Sequence, residues 1–168
     1  MKKVIIYYDN IIDKLLKYEG CVHNNLYHGY GNYFNNNGMI IFEGFFKKGK
    51  YNGEGKLYIN GKIMYEGEFE NNLFDGEGTI FYPNGNIKYE GYFKENKYDG
   101  NGVEYYKNGK LKYVGNFKNH KYHGNGRYFK ENKLIYSGNF KNGMVYLKNN
   151  TDHHWYIITN NYKNLYIY

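Results

Sequence analysis

Apolar and polar positions alternate with period two along most of the chain, and the alternation itself recurs. An aromatic residue stands at Tyr18, Phe42, Tyr65, Tyr89, Tyr113 and Tyr136, in steps of 24, 23, 24, 24 and 23 residues. Two residues later comes a glycine, and two after that Val22, Phe46, Phe69, Phe93, Phe117 or Phe140. Two residues before the aromatic lies Leu16, Ile40, Ile63, Ile87, Leu111 or Leu134. Each unit thus opens with aliphatic-x-aromatic-x-Gly-x-Phe, expected to be a strand with these positions on one face, because a helix would scatter them around its circumference. A Gly-x-Gly pair follows in five units, from Gly29/Gly31 to Gly124/Gly126, preceded by Tyr27, Tyr51, Phe74, Tyr98 or Tyr122. That segment alternates again and reads as the return strand of a hairpin. Between units lie Asn37-Gly38, Asn60-Gly61, Asn84-Gly85 and Asn108-Gly109, a turn signal because both residue types tolerate positive φ. The 23-residue units lose their residue in this turn region, which moves a turn and leaves the strand columns in place.

Two glycines in one strand weaken it, so their recurrence asks for a reason. The expected one is an aromatic ring of a neighbouring strand lying over the bare backbone. The opposite face carries Glu19, Glu43, Glu66 and Glu90, with Lys88, Lys112 and one aromatic per unit: Phe34, Tyr58, Phe81, Tyr105 or Phe129. The ends decay. Residues 1–15 read as a degenerate half unit or cap, with an extended connector at Ile11–Leu15. Residues 16–148 form the array, five full units and a partial sixth whose return strand, Met144–Lys148, has lost its glycines. Residues 149–168 read as a cap or tail, with Asn160-Asn161 placed to turn a last hairpin.

The Tyr-Glu-Gly-x-Phe … Gly-x-Gly unit resembles the MORN repeat (membrane occupation and recognition nexus) over residues 16 to 143. The resemblance implies an all-β fold: an elongated, twisted, single-layer antiparallel β-sheet of tandem hairpins with an aromatic groove. It also implies scaffold or adaptor roles in cytoskeletal or membrane-associated assemblies, and an affinity for phospholipids. The chain departs from the family in having Phe where Trp is frequent, and an aromatic before Gly-x-Gly where a polar residue is common. Such arrays also occur beside catalytic domains, and 168 residues are expected to leave no room for one.

Composition changes little in this picture. The chain has 24 Tyr, no Ala and one Arg, and its net charge of +7 comes almost wholly from Lys. Lys, Asn, Tyr, Ile and Phe are written by A- and T-rich codons, so the basic balance is no strong sign of nucleic acid. One cysteine, Cys21, forms no internal disulfide, which fits a reducing compartment. No signal core, lipidation box or apolar run of the ~18–20 residues a span requires is present. The expectation is a soluble, cytoplasmic chain, peripheral to membrane or cytoskeleton.

Candidate chemistry is thin. His120 and His123 share a hairpin linker, as do His23 and His28, but Asn52, Asp75 and Asp99 fill the equivalent positions, which suggests turn formers. His153-His154 is two ligands where zinc takes three or four. The glutamate column reads as a solvated face, and Gly-x-Gly does not open a helix as a dinucleotide loop does. No enzyme activity, cofactor or metal is therefore expected. Two binding readings remain. In the first, a groove lined by Tyr65, Phe69, Tyr89, Phe93, Tyr113 and Phe117 binds a protein segment; Tyr suits interfaces, where a ring is half buried and its hydroxyl stays wet. In the alternative, Lys47, Lys48, Lys50, Lys94, Lys97, Lys118 and Lys121 contact anionic phospholipid at ~1 kcal/mol each. Nucleic acid stacked on tyrosines is the weaker reading, since these rings fall in packing columns. A second copy of the chain would add at the open sheet ends.

Overall fold

The computed structural model describes residues 1–8, 15–148 and 153–157, with the last strand and residues 146–148 described at the backbone only. Fourteen strands form one antiparallel sheet in strict sequence order. They are β1 (Lys2–Tyr7), β2 (Leu16–His23), β3 (Leu26–Phe34), β4 (Ile40–Lys47) and β5 (Lys50–Ile59). Next come β6 (Lys62–Glu70), β7 (Leu73–Phe81), β8 (Ile87–Lys94), β9 (Lys97–Tyr105) and β10 (Leu111–Lys118). The last are β11 (Lys121–Lys130), β12 (Lys133–Lys141), β13 (Met144–Lys148) and β14 (His153–Ile157). There is no helix among the described residues. At ~4.8 Å per strand the sheet is ~60 Å long. The terminal half unit joins it: β1 pairs with β2, and its Val4 and Ile6 pack against the core. The proposed Ile11–Leu15 connector and the Asn160-Asn161 turn lie outside the described residues, apart from Leu15.

Within each hairpin the register sets glycine against glycine, as Gly67↔Gly78, and then jumps to Phe69↔Phe74. The return strand therefore carries two extra residues in a bulge at the first glycine of its pair. There the backbone is left-handed, with φ +103° at Gly76 and +102° at Gly100, a conformation that favours glycine. The second glycine has the role expected for it. A Cβ on Gly78 would stand 2.4 Å from the Tyr65 hydroxyl oxygen, and one on Gly102 would meet Tyr89 at the same distance. The tyrosine hydroxyl then donates to a carbonyl three residues on: Tyr65 to Glu68 at 2.8 Å, Tyr89 to Tyr92 at 2.9 Å, Tyr113 to Asn116 at 2.9 Å. Those residues are skipped by the register on the return-strand side, so the ring both fills the glycine slot and supplies a donor.

Between hairpins a second bulge corrects one expectation. Ile80 pairs with Tyr89 but Phe81 pairs with Ile87, leaving Lys88 as the extra residue. Residues opposite one another share a face, so Ile87 lies with Phe81 on the face away from Tyr89. The aliphatic position is thus on the second face with the outer aromatic, not in the Tyr–Gly–Phe column. The same slip recurs as Tyr58↔Ile63 and Tyr105↔Leu111.

Turn chemistry explains the alternation of 23 and 24. In the 23-residue steps the inter-unit turn is a two-residue loop with both φ positive, Asn60-Gly61 (51° and 72°) and Glu131-Asn132 (50° and 65°). In the 24-residue steps only the glycine is left-handed, as Gly85 at 89°, and a tighter turn precedes it: Gly85 N–H donates to Tyr82 O at 2.9 Å and Tyr82 N–H to Asn86 O at 2.8 Å. The asparagine before that glycine therefore does not take the positive φ anticipated for it. The one-residue difference is absorbed in the loop, and the columns stay aligned. Units are also stitched along both edges. Tyr82 donates to Tyr105 O and Tyr106 to Phe129 O, both at 3.0 Å.

Candidate interaction surfaces

The two aromatics of each hairpin stack face to face. Ring centroids are 3.9 Å apart for Tyr18–Tyr27, 3.7 Å for Phe42–Tyr51, 3.8 Å for Tyr65–Phe74, 3.7 Å for Tyr89–Tyr98 and 3.9 Å for Tyr113–Tyr122. The Phe of the next unit meets each stack edge-on, as Phe93 on Tyr65 at 5.2 Å and Phe117 on Tyr89 at 5.0 Å. Such pairs contribute ~0.5–1.5 kcal/mol beyond their burial. The rings form one continuous layer, which is the core of a sheet that has no second layer among the described residues.

This placement corrects the groove assignment. Tyr65, Tyr89 and Tyr113 are 0% exposed, and Phe69, Phe93 and Phe117 are 3% exposed. They are interior, and no partner can touch them in this structure. What covers them, and so forms the accessible ring face, is the return-strand column: Tyr27, Tyr51, Phe74 and Tyr122 are half-buried, while Tyr98 is buried. Period two identified this column, but only the stacking reveals that it lies outermost.

A polar cluster interrupts the ring face in the fourth and fifth units. Glu104 pairs with Tyr113 and holds the place that Ile80 and Leu57 hold in earlier units. Its carboxylate accepts from Tyr122 at 2.6 Å and from Lys112 Nζ at 3.0 Å, and Lys112 also lies over the Tyr106 ring. Lys112 therefore reaches the core face, not the opposite one. Burial first, then Glu104, raises the Tyr122 pKa, and burial alone raises that of Tyr113.

The seven lysines singled out from sequence are all exposed, in or beside the turns joining β4–β5, β8–β9 and β10–β11 along one edge. That edge is rigid. Each turn donates a backbone N–H to the preceding unit, as Asn96 to Phe74 O at 2.9 Å and His120 to Tyr98 O at 3.0 Å. A side chain answers: Asn72 Oδ1 accepts from Tyr51 N–H, Asn96 Oδ1 from Phe74 N–H, and His120 Nδ1 from Tyr98 N–H at 3.3 Å. Asp75 and Asp99 accept the N–H of Glu95 and Asn119, so the position before Gly-x-Gly does act as a turn former. His120 titrates below its usual range, through burial and then Lys88 and Lys97. His23 and His28 lie with ring centroids 5.7 Å apart, and Cys21 is a free, half-buried thiol. Among the described residues no three His, Cys, Asp or Glu side chains come together as a metal site.

The MORN repeat model matches residues 18–39, 42–62, 65–87, 89–110, 113–133 and 136–144. The chain belongs to the MORN-repeat family. The six matches begin at Tyr18, Phe42, Tyr65, Tyr89, Tyr113 and Tyr136, the aromatics that open each sequence unit. MORN repeats are known in scaffold- and adaptor-like proteins, are generally protein or membrane interaction modules, and are generally not enzymes. No curated protein matches the chain.

Proposed function

We propose that this MORN array is a non-enzymatic scaffold that binds a segment of a protein partner along its ring face. The observation that supports this is the row of half-buried plates, Tyr27, Tyr51, Phe74 and Tyr122, running across successive units with no second layer over it among the described residues. Each plate is fixed from below by its stacked partner, so binding orders little that is not already ordered, and preorganisation of this kind favours affinity. The test is capture of partners by the full chain and by Tyr51→Ser/Phe74→Ser, with circular dichroism showing that the variant keeps its sheet. Partners should be lost from the variant and retained by the parent at 1 M salt. Equal recovery by both would defeat the reading.

The exposed lysine edge supports a second reading, contact with anionic phospholipid. It predicts a different salt response, because the Debye length falls from ~10 Å at 0.1 M to ~3 Å at 1 M. Flotation with phosphatidylserine vesicles should then be lost in high salt and in Lys47→Glu/Lys94→Glu/Lys118→Glu, and be unchanged in the ring-face variant. Flotation that survives the charge reversal excludes it.

A further inference from the structure

The face opposite the rings has its own character. Register places Glu43, Lys56, Glu66, Thr79 and Glu90 in one cross-strand ladder and sets Tyr30 against Phe45, Glu54 against Glu68, and Glu77 against Tyr92 in a second. Away from the turns and the inter-unit bulge that holds Lys88, these β4–β8 ladders contain six glutamates and one lysine, on a chain whose net charge is +7. The face is also apolar at both ends of this acidic tract. Tyr30 and Phe45 are 51% and 46% exposed and meet edge to face at 5.6 Å, and Tyr92 is 46% exposed. A shallow depression of about 370 Å³ lies among Tyr30, Phe45, Glu43, Glu54 and Glu66.

From this we infer that the outer face of β4–β8 is a docking surface for a basic, amphipathic helix of another protein. It is independent of the ring-face reading, using other residues on the other side of the sheet. Three observations fix the occupant. Glu54 and Glu68 sit opposite one another in the β5–β6 register; Glu68 Oε1 accepts from Glu77 N–H at 3.1 Å, but neither carboxylate has a cation partner among the described residues, so an incoming Lys or Arg meets two unneutralised charges. The carboxylate of Glu90 is held in place by the hydroxyl of Tyr105, so it meets a cation without first being ordered. Finally, Glu43, Glu66 and Glu90 stand on alternate strands, ~9.6 Å apart along the sheet. Residues seven apart on a helix rise ~10.5 Å. A helix lying across the strands can therefore set Lys or Arg at i, i+7 and i+14 over the three carboxylates, the middle one shared with Lys56, whose Nζ lies 3.2 Å from Glu66, with apolar residues near its ends for Phe45 and Tyr92. An anionic membrane is the wrong occupant for this face, since the six carboxylates repel it.

The probe is a fluorescein-labelled helical 18-mer with Lys at three positions seven apart and Leu at both ends, titrated with the full-length chain at 0.1 M salt and read by anisotropy. The parent should bind it, and should not bind the same peptide with Glu in place of Lys. The isosteric triple variant Glu43→Gln/Glu66→Gln/Glu90→Gln should lose at least about tenfold in affinity, Phe45→Ser a smaller factor, and Tyr51→Ser/Phe74→Ser nothing. The inference is overturned if the parent ignores the basic peptide, binds the acidic one equally, or binds as tightly after the glutamate substitutions. It is overturned too if the ring-face variant is the one that loses binding, or if phosphatidylserine vesicles compete through this face. Melting curves of each variant confirm that the sheet is intact, and the glutamate-to-glutamine changes alter neither size nor backbone. The ring-face proposal stands or falls on separate variants, so the two failures are distinguishable.

Discussion

The hydroxyl of the unit-opening tyrosine supports a test whose sign reverses between repeats. Tyr89 is fully buried, and its hydroxyl donates to the Tyr92 carbonyl at 2.9 Å, where the register offers no residue of β9 opposite. Tyr89→Phe keeps the ring, its stack on Tyr98 and the slot over Gly102. Only the donor goes. A net hydrogen bond contributes ~0.5–1.5 kcal/mol, and a buried acceptor left without a donor costs ~1–3 kcal/mol, so a loss of ~1–2 kcal/mol is expected. For a chain of this size that is a fall in Tm of ~2–8 °C. The second unit is the converse case, for nature has placed Phe42 there. Its ring tip occupies the same slot, near Gly44 and Gly55, and other units accommodate an oxygen at that point. Phe42→Tyr should add the missing donor to the Phe45 carbonyl and raise stability by ~0.5–1.5 kcal/mol. Far-UV circular dichroism melts of both variants provide the assay. If Tyr89→Phe melts with the parent, or Phe42→Tyr melts below it, the hydroxyl is not the donor the skipped residue requires.

Other expectations follow from the same geometry. Gly91→Val should cost ~3–5 kcal/mol, because its φ is +150° and a Cβ would stand 2.4 Å from the Asn101 carbonyl oxygen; Glu90→Ala, which loses only the bond from Tyr105, should cost ~1 kcal/mol. Equal melting midpoints would refute the face assignment. His120 has a depressed pKa, so its neutral form is favoured in the fold: stability is full above the unfolded value of 6.5 and falls as pH drops below it. His120→Asn, which copies Asn96 one unit earlier, should flatten that acid limb in urea titrations between pH 7 and 5 without lowering stability at pH 7.5. At alkaline pH the sign is opposite. Burial pushes Tyr18 and Tyr51 up to about 12, and burial with a glutamate neighbour does the same for Tyr58 and Tyr105, so stability holds below pH 10 and is lost as pH rises from there through 12. Each such ring removes up to ~1.4 kcal/mol per pH unit, and unchanged urea midpoints from pH 9 to 11.5 would contradict their burial.

Much of this fold is legible because its information is local. Hairpin order follows from short linkers, so a sequence that announces its turns announces its sheet. Tyr65-x-Gly67-x-Phe69 falls on one face as period two requires, and the glycine slots follow from the lack of a side chain. The aliphatic column misled because a bulge is one residue long. Ile87 sits two before Tyr89 and reads as the same face, yet Lys88 is an extra residue that rotates everything before it. Nothing in the residue types marks that slip. Its trace is a pairing preference: moving Ile87 next to Phe81 builds an apolar stripe on the second face, where period two alone would have left Phe81 without an apolar cross-strand neighbour. The Asn-Gly signals were likewise right about position and silent about type, because a two-residue loop and its one-residue-longer relative both end in a left-handed glycine.

The interaction surfaces were harder to read for a different reason. A repeat column is a set of equivalent positions, and periodicity gives each column a face but not a depth. Tyr89 and Tyr98 both lie on the core face, and both are aromatic. The one that opens the unit is driven onto the glycine slot by the bulge, and its stacked partner is left on top. Exposure is therefore decided by which strand carries the two extra residues, a fact of register that composition does not carry. Glu104 shows the complementary limit. In its column stand Tyr33, Leu57, Ile80 and Tyr128, and a carboxylate among them reads as a lapse of the repeat. It is tolerated because Lys112, at the inter-unit bulge, and Tyr122, on the next hairpin, both reach it, at 3.0 and 2.6 Å. Neither partner is in its unit's matching column, so no alignment of the repeats with one another would pair them. What a repeat sequence reveals is the average unit. Where a unit departs from that average, as at Glu104, the compensation runs across the bulges, and only the folded register brings it into view.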